Sequence, residues 1–319
     1  MIKRKLAQLH AKPGGGGTIY SIAAYGLWGI LPIYWKAMKQ IPAIDILAHR
    51  IFWSFILLIL VVVLTKKREE FRVAFSSFKM AISVLYASIL ISINWLIYIW
   101  AVNNNHIVEA SLGYYINPLF TILLGIVFLG ERPNAWQIIA IIIAAAGVSF
   151  MAFQYSQVPW VALSLAVSFG LYGLAKKLSK LSSISGLAAE TTFLAPLAFG
   201  FLFVQVSDSS GIYSDLPAYV ILLILLSGLA TSVPLLLFAQ GAKRVPMSTL
   251  GFLQYLSPSI SLIIGIFIYN EPFTYVEKIS FGCIWLALTI YSISRKEVLS
   301  IIRQKMKFPE KIQLKEKEI

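Results

Sequence analysis

The sequence predicts an all-α polytopic membrane protein, with ten transmembrane helices in two inverted five-helix repeats. Three observations predict it. Apolar residues make up 58% of the 319 residues and charged residues only 13%, where a soluble domain carries about 25%. Ten separate apolar runs each approach the ~20 residues that a helix needs to cross a ~30 Å hydrocarbon core. The chain also repeats itself, half against half.

The runs are delimited by their breaks. The first five spans fall at 18–38, 44–64, 80–102, 110–129 and 135–153. The second five fall at 159–179, 184–206, 217–240, 247–269 and 274–293. Polar or turn-forming clusters at 65–72, 103–105, 131–134, 207–215 and 270–272 separate them. None is long enough to build a soluble domain with its own core. Stretches such as 138–147 are apolar all round, which fits helices and not the alternating strands of a porin. Residues 1–17 form a basic tail that does not read as a signal peptide, and 294–319 form a second basic tail. The one cysteine, Cys283, lies inside an apolar run, so an intrachain disulfide and a cysteine metal site are excluded.

Basic residues orient the chain. With the N-terminus in the cytoplasm, the inner segments and both tails hold nearly all of the 27 lysines and arginines. Only Lys36, Lys39, Lys278 and the in-span Arg50 fall elsewhere. Both termini are therefore expected in the cytoplasm, and the +13 formal charge reads as a topology signal of solvated positive-inside segments.

The repeat fixes the division of the chain. Residues 100–114 align without a gap on 238–252, and 115–133 align on 255–273. Pro118 meets Pro258, Gly125 meets Gly265, and Glu131 meets Glu271. A Gly-Leu-Trp-Gly run from Gly26 matches Gly-Leu-Tyr-Gly from Gly170. The repeats are 18–153 and 159–293. Five spans is an odd number, so the second copy starts on the opposite side of the membrane. That is the inverted-topology design of secondary transporters, with a site near the midplane.

Polar residues inside the spans mark the expected pathway. A charge at the centre of a membrane helix costs about 2.5–3.5 kcal/mol on insertion scales and normally faces a cavity or a partner. Three residues stand out: His49, Arg50 and Glu190. Aligning the second span on the seventh makes His49 and Glu190 pseudo-equivalent, entering from opposite faces. Glu190 reads as a carrier of a proton or a partner for a substrate amine. Arg50 stays open between a pathway role and a structural one beside Asp45. On the third span Asn94 and Tyr98 share a face, with Trp95 turned away. Tyr115 and Asn117 precede Pro118, and Gln254 and Tyr255 precede Pro258. A proline frees a carbonyl and kinks the helix where irregular backbone can line a cavity. Trp28 and Tyr172 complete the lining, whereas Trp136 and Trp160 at span ends read as interface anchors.

These residues resemble those of a known family. The stretches from Asp45 to Ser54, Asn94 to Asn104 and Glu109 to Pro118 are similar to RarD-type permeases. So are Gly130 to Arg132, Ser168 to Gly173, Glu190 with Thr191, Ser248 to Tyr255 and Ile284 to Ala287. Those permeases form part of the EamA branch of the drug/metabolite transporter superfamily. The resemblance runs from about Tyr20 to Ile293. One departure is Asn270-Glu271-Pro272, where the first copy reads Gly130-Glu131-Arg132. The resemblance implies ten helices, a bacterial cytoplasmic membrane and outward movement of an amino-acid-like or drug-like solute. It leaves coupling to protons or other ions open.

Other classes have little support. No nucleophile–base pair or metal cluster has workable spacing, and no phosphate loop is present, so no enzyme activity, cofactor or metal is expected. The expected partners are a small-molecule substrate and membrane lipids, with no nucleic acid. The competing class is a non-transporting receptor or structural membrane protein.

Overall fold

The computed structural model describes residues 16–104, 106–153, 159–207 and 216–294. Most of both basic tails and the 208–215 part of the expected outer connection lie outside the described residues. Among the described residues all regular structure is helical. The helices are α1 (Gly16–Lys36), α2 (Ala43–Leu64), α3 (Arg68–Val73), α4 (Phe78–Asn103), α5 (Ile107–Leu129) and α6 (Ala135–Ala152). They continue with α7 (Trp160–Leu178), α8 (Ser183–Ser207), α9 (Ala218–Arg244), α10 (Met247–Gln254), α11 (Leu256–Tyr269) and α12 (Tyr275–Ile293).

Among the described residues, nine helical stretches are long and apolar enough to cross a membrane, α10 and α11 counting as one. The remaining expected span, α1, is helical over 21 residues. Its glycines, tyrosines, tryptophans and Lys36 leave it short of that apolarity. Two local features depart from the sequence reading. Part of the polar connection after α2 folds as the short helix α3. The expected 247–269 span breaks at Tyr255 into α10 and α11. Pro258 explains the break, because a proline ring clashes with the carbonyl four residues earlier, here that of Gln254. Its counterpart Pro118 lies inside an unbroken α5.

The ends of α5 and α11 are built alike. Gly130 closes α5 at φ +67°, and Asn270 closes α11 at φ +54°. The following Glu131 N–H bonds to Gly125 O at 3.1 Å, and Glu271 N–H bonds to Gly265 O at 3.0 Å. Both ends thus close the same way, with a left-handed residue and an N–H beyond it that satisfies a carbonyl of the last turns. Asparagine is a residue that tolerates the left-handed region when glycine is absent, so the Asn270 departure preserves the turn. The helices that follow also start alike. Asn134 forms a capping box with Gln137, and Thr274 forms one with Glu277.

Packing divides the chain into two units, and each takes helices from both halves of the sequence. One comprises Met1–Glu131 and Gln157–Pro272. Its core gathers Tyr25, Leu58, Leu124, Tyr172, Phe238, Met247 and Leu250. Helices α2 and α9 approach so closely that a Cβ on Gly228 would lie 2.4 Å from the Trp53 backbone. Glu131 seals the start of α10, accepting from Met247 N at 2.5 Å and Ser248 N at 2.9 Å. A carboxylate suits that position, where free N–H groups and the helix dipole both favour negative charge. The other unit comprises Arg132–Ser156 and Phe273–Ile319. In it α6 packs on α12, with Gly147 against Cys283, and Asn134 Nδ2 donates to Ser294 O at 3.2 Å. Large apolar side chains such as Leu197, Phe203, Phe267 and Ile142 stay exposed, as a bundle solvated by lipid tails requires.

Candidate functional site

Arg50 lies about 10 Å along α2 from its start, at 1.5 Å per residue. Four other helices surround it. From α9, Thr231 Oγ1 accepts the Arg50 Nε–H at 3.0 Å. From α1, the Trp35 ring centroid lies 4.5 Å from the guanidinium carbon, and from α4 the Trp95 centroid lies at 5.4 Å. Tyr34, Tyr98 and, from α5, Tyr114 stand within electrostatic range. The Tyr98 and Tyr114 rings meet edge-on at 6.2 Å. The Tyr34 hydroxyl donates to Leu223 O on α9, which holds α1 in place beside the cluster.

Two further facts mark this cluster as an open cleft. Tyr98 and Tyr114 keep 37% and 50% of their surface accessible, so the cluster is open along the side that these two rings line. In addition, no carboxylate lies within ion-pair distance of Arg50 among the described residues. Its Nη1 and Nη2 have no acceptor there and are not sealed from the opening. The contacts it does make are sufficient to hold it. Each cation–π contact contributes about 0.5–2 kcal/mol and a charged hydrogen bond about 1.5–3 kcal/mol. Together they match the ~2.5–3.5 kcal/mol insertion cost of a central arginine. Arg50 is therefore tolerated without an anion, and it still has two unused donor nitrogens.

Glu190 belongs to a different constellation. Its Oε1 accepts from Lys176 Nζ at 2.6 Å, and its Oε2 accepts from the Tyr172 hydroxyl at 3.1 Å. Lys176 and Glu190 are both buried. Ser88 Oγ donates to the Glu190 backbone carbonyl at 3.2 Å, which ties α4 to α8. Tyr172 and Lys176 lie four residues apart on α7, so they share a face and grip one carboxylate from α8.

The other expected pathway residues are dispersed. Trp28 packs among Tyr25, Phe169 and Phe238, with centroids 5.6–5.7 Å apart. Asn94 Nδ2 donates to Leu165 O and Ser168 Oγ, both at 3.0 Å, pinning α4 to α7. The Tyr255 hydroxyl donates to Tyr115 O at 3.3 Å. Asn117 Oδ1 accepts from Thr121 at 3.3 Å. Gln254 is buried, and its Oε1 has no hydrogen-bond partner among the described residues. His49 is half-buried beside Arg50 on α2. Of the eleven, the structure brings Arg50 and Tyr98 together in the cleft, and elsewhere pairs Tyr172 with Glu190 and Tyr255 with Tyr115. Sequence reasoning assigned no site role to Tyr34, Trp35, Tyr114, Thr231 or Lys176 and turned Trp95 away from the Asn94–Tyr98 face. Trp95, expected to turn away, lies over Arg50; the usable signal was its i, i+3 spacing to Tyr98. Lys176 was masked by its place among the positive-inside lysines.

Comparison with known proteins identifies this architecture. The model of the EamA-like transporter family matches twice, over residues 15–153 and 158–293. The chain belongs to the EamA-like transporter family. Within it the relatives are RarD-type. Protein RarD of Escherichia coli (strain K12) is 37% identical over 283 residues, covering 89% of this chain and 96% of that protein. The uncharacterized transporter YojE of Bacillus subtilis (strain 168) is 48% identical over 288 residues, covering 88% and 94%. The chloramphenicol-sensitive protein RarD of Pseudomonas aeruginosa is 30% identical, covering 86% and 93%. A solved crystal structure superposes with a TM-score of 0.67 at 16% identity, covering 88% of this chain and 98% of its own; that likeness concerns the fold alone. The protein is thus a multi-pass membrane protein of a transporter family.

Proposed function

We propose that the protein is a secondary transporter. It carries a small amphipathic, amino-acid-like or drug-like solute out across the bacterial cytoplasmic membrane, by alternating access between repeats 18–153 and 159–293. The observation that carries this reading is the Arg50 cleft, an opening lined by Trp35, Trp95, Tyr98 and Tyr114 within an apolar bundle. Apolar faces supply affinity there and a few polar groups fix orientation, as in small-molecule sites generally. Family membership supports transport over a receptor role. The helices also offer few intramembrane carboxylates, which speaks against a dedicated ion site built from converging oxygens.

Purified protein in liposomes tests the proposal. A transporter gives saturable, solute-specific flux, and its pH dependence reports any proton coupling. Binding without flux across a metabolite panel would favour the receptor reading instead. Efflux from cells with and without the protein supplies the direction.

A further inference from the structure

We infer that the Arg50 cleft binds the carboxylate of a small organic anion with an aromatic or aliphatic body. The inference depends on the transport reading only for calling that anion a substrate; the site binds whether or not it moves what it holds.

The geometry of the guanidinium selects the ligand group. Its Nε–H is committed to Thr231. The open approach is therefore end-on, across Nη1 and Nη2, which face no acceptor among the described residues and keep accessible surface. Two parallel N–H donors at that spacing match the two oxygens of a carboxylate. The charge of the cleft narrows the class further. The groups in contact with Arg50, Thr231, Trp35 and Trp95, add no second positive charge. One positive charge suits a monoanion, whereas a phosphate dianion calls for more. The walls supply the rest. Trp35 and Trp95 flank the guanidinium, and Tyr98 and Tyr114 present rings beside it, so the body attached to the carboxylate meets π faces.

The cleft also disfavours a ligand amine. No described carboxylate faces Arg50 within ion-pair distance. Asp45 is buried one and a half turns earlier on α2, and Glu190 is held by Lys176 and Tyr172. An ammonium group would thus share the cleft with the guanidinium and gain no acid. This shifts the class from zwitterionic amino acids toward plain carboxylates.

The test is a binding titration of the purified full-length protein, read by quenching of tryptophan fluorescence and by thermal unfolding. The probes are hexanoate, benzoate, phenylacetate, phenylalanine, phenylacetate methyl ester, phenethylamine and chloride. The expected result is saturable binding of at least one plain carboxylate. Phenylalanine is expected to bind more weakly than phenylacetate, and the ester and the amine to leave the signal unchanged. Arg50→Gln is expected to weaken carboxylate binding about ten- to hundredfold, the size of a charged hydrogen-bond pair. Arg50→Lys, which keeps the charge and loses the fork, is expected to fall between. If no carboxylate binds, or the ester binds as well as the acid, the inference fails. These comparisons use only the wild-type protein and survive an Arg50→Gln variant that does not fold. Chloride occupying the site as tightly as phenylacetate reduces it to an inorganic-anion site and also overturns the inference. The two readings fail separately. Carboxylate binding without flux in liposomes removes the transporter and leaves the site. Saturable flux of a neutral solute together with no binding of any carboxylate removes the site and leaves the transporter.

Discussion

Lys176 and Glu190 hold each other at 2.6 Å with both side chains buried, so each depends on the other. Removing one partner of a buried pair leaves an uncompensated charge, at a cost of about 3–5 kcal/mol. Lys176→Met alone and Glu190→Leu alone are expected to lower the thermal midpoint in detergent sharply. The double variant, which leaves no charge behind, is expected to recover much of the loss. A double variant as unstable as the sum of the singles would show that the two side chains act independently and would overturn this mutual dependence. The tyrosines divide in the same way by surroundings. Tyr255 is fully buried, so Tyr255→Ala opens a cavity and is expected to cost about 3–5 kcal/mol, as for other large aromatics. Tyr98 faces the cleft and Trp136 is 59% exposed. Tyr98→Phe is expected to change solute affinity with little change in stability, and Trp136→Ala to change neither. A loss of flux in Trp136→Ala with normal flux in Tyr98→Phe would place the pathway elsewhere.

Between helices, glycine and carboxylate contacts set the fit. Gly228→Ala would drive a Cβ into the Trp53 backbone, and overpacking of this kind costs about 1–3 kcal/mol. Gly282 has nothing within 4 Å of an added Cβ, so Gly282→Ala serves as the neutral control in the same unfolding assay. Glu70 links the α3 region to the turn before α8, accepting from Ser182 N at 2.6 Å. Burial raises its carboxyl pKa, but the Ser182 hydrogen bonds, with Lys67 and Ser185, outweigh that and hold it below the ordinary 4.5. A depressed carboxyl contributes stability that is complete above its unfolded value and is lost as pH falls through the folded one. The advantage of wild type over Glu70→Gln in thermal unfolding is therefore expected to be constant from neutral pH down to about 4.5 and to shrink below it. An advantage that grew on acidification would contradict this assignment.

For the molecule as a whole, the all-helical fold was legible because apolar length is a coarse quantity that survives errors of a few residues at each end. The break at Tyr255 was only half legible. Pro258 announced a kink, but its counterpart Pro118 sits in a continuous helix, so neighbouring helices decide which proline interrupts. The cleft was legible at Arg50 and Tyr98 only. A charge inside a span is conspicuous in a sequence, whereas the aromatic rings around it come from α1, α4 and α5, and tertiary packing alone chooses among 43 aromatic residues. The proposed topology adds a test at this scale. In a Cys283→Ser background, a cysteine at Ser210 is expected to react with an impermeant reagent from outside the cell; reaction only from the cytoplasmic side would break the inverted-repeat scheme. The Lys176–Glu190 pair bears on how the chain enters the bilayer during synthesis. Helix α8 alone would carry an unpaired carboxylate into lipid, against an insertion cost of about 2.5–3.5 kcal/mol. Its partner lies on α7, across the short turn at 179–182. The economical route is for the translocon to release α7 and α8 together as a hairpin, its charges already joined, which makes the order of release part of the information carried by these two residues.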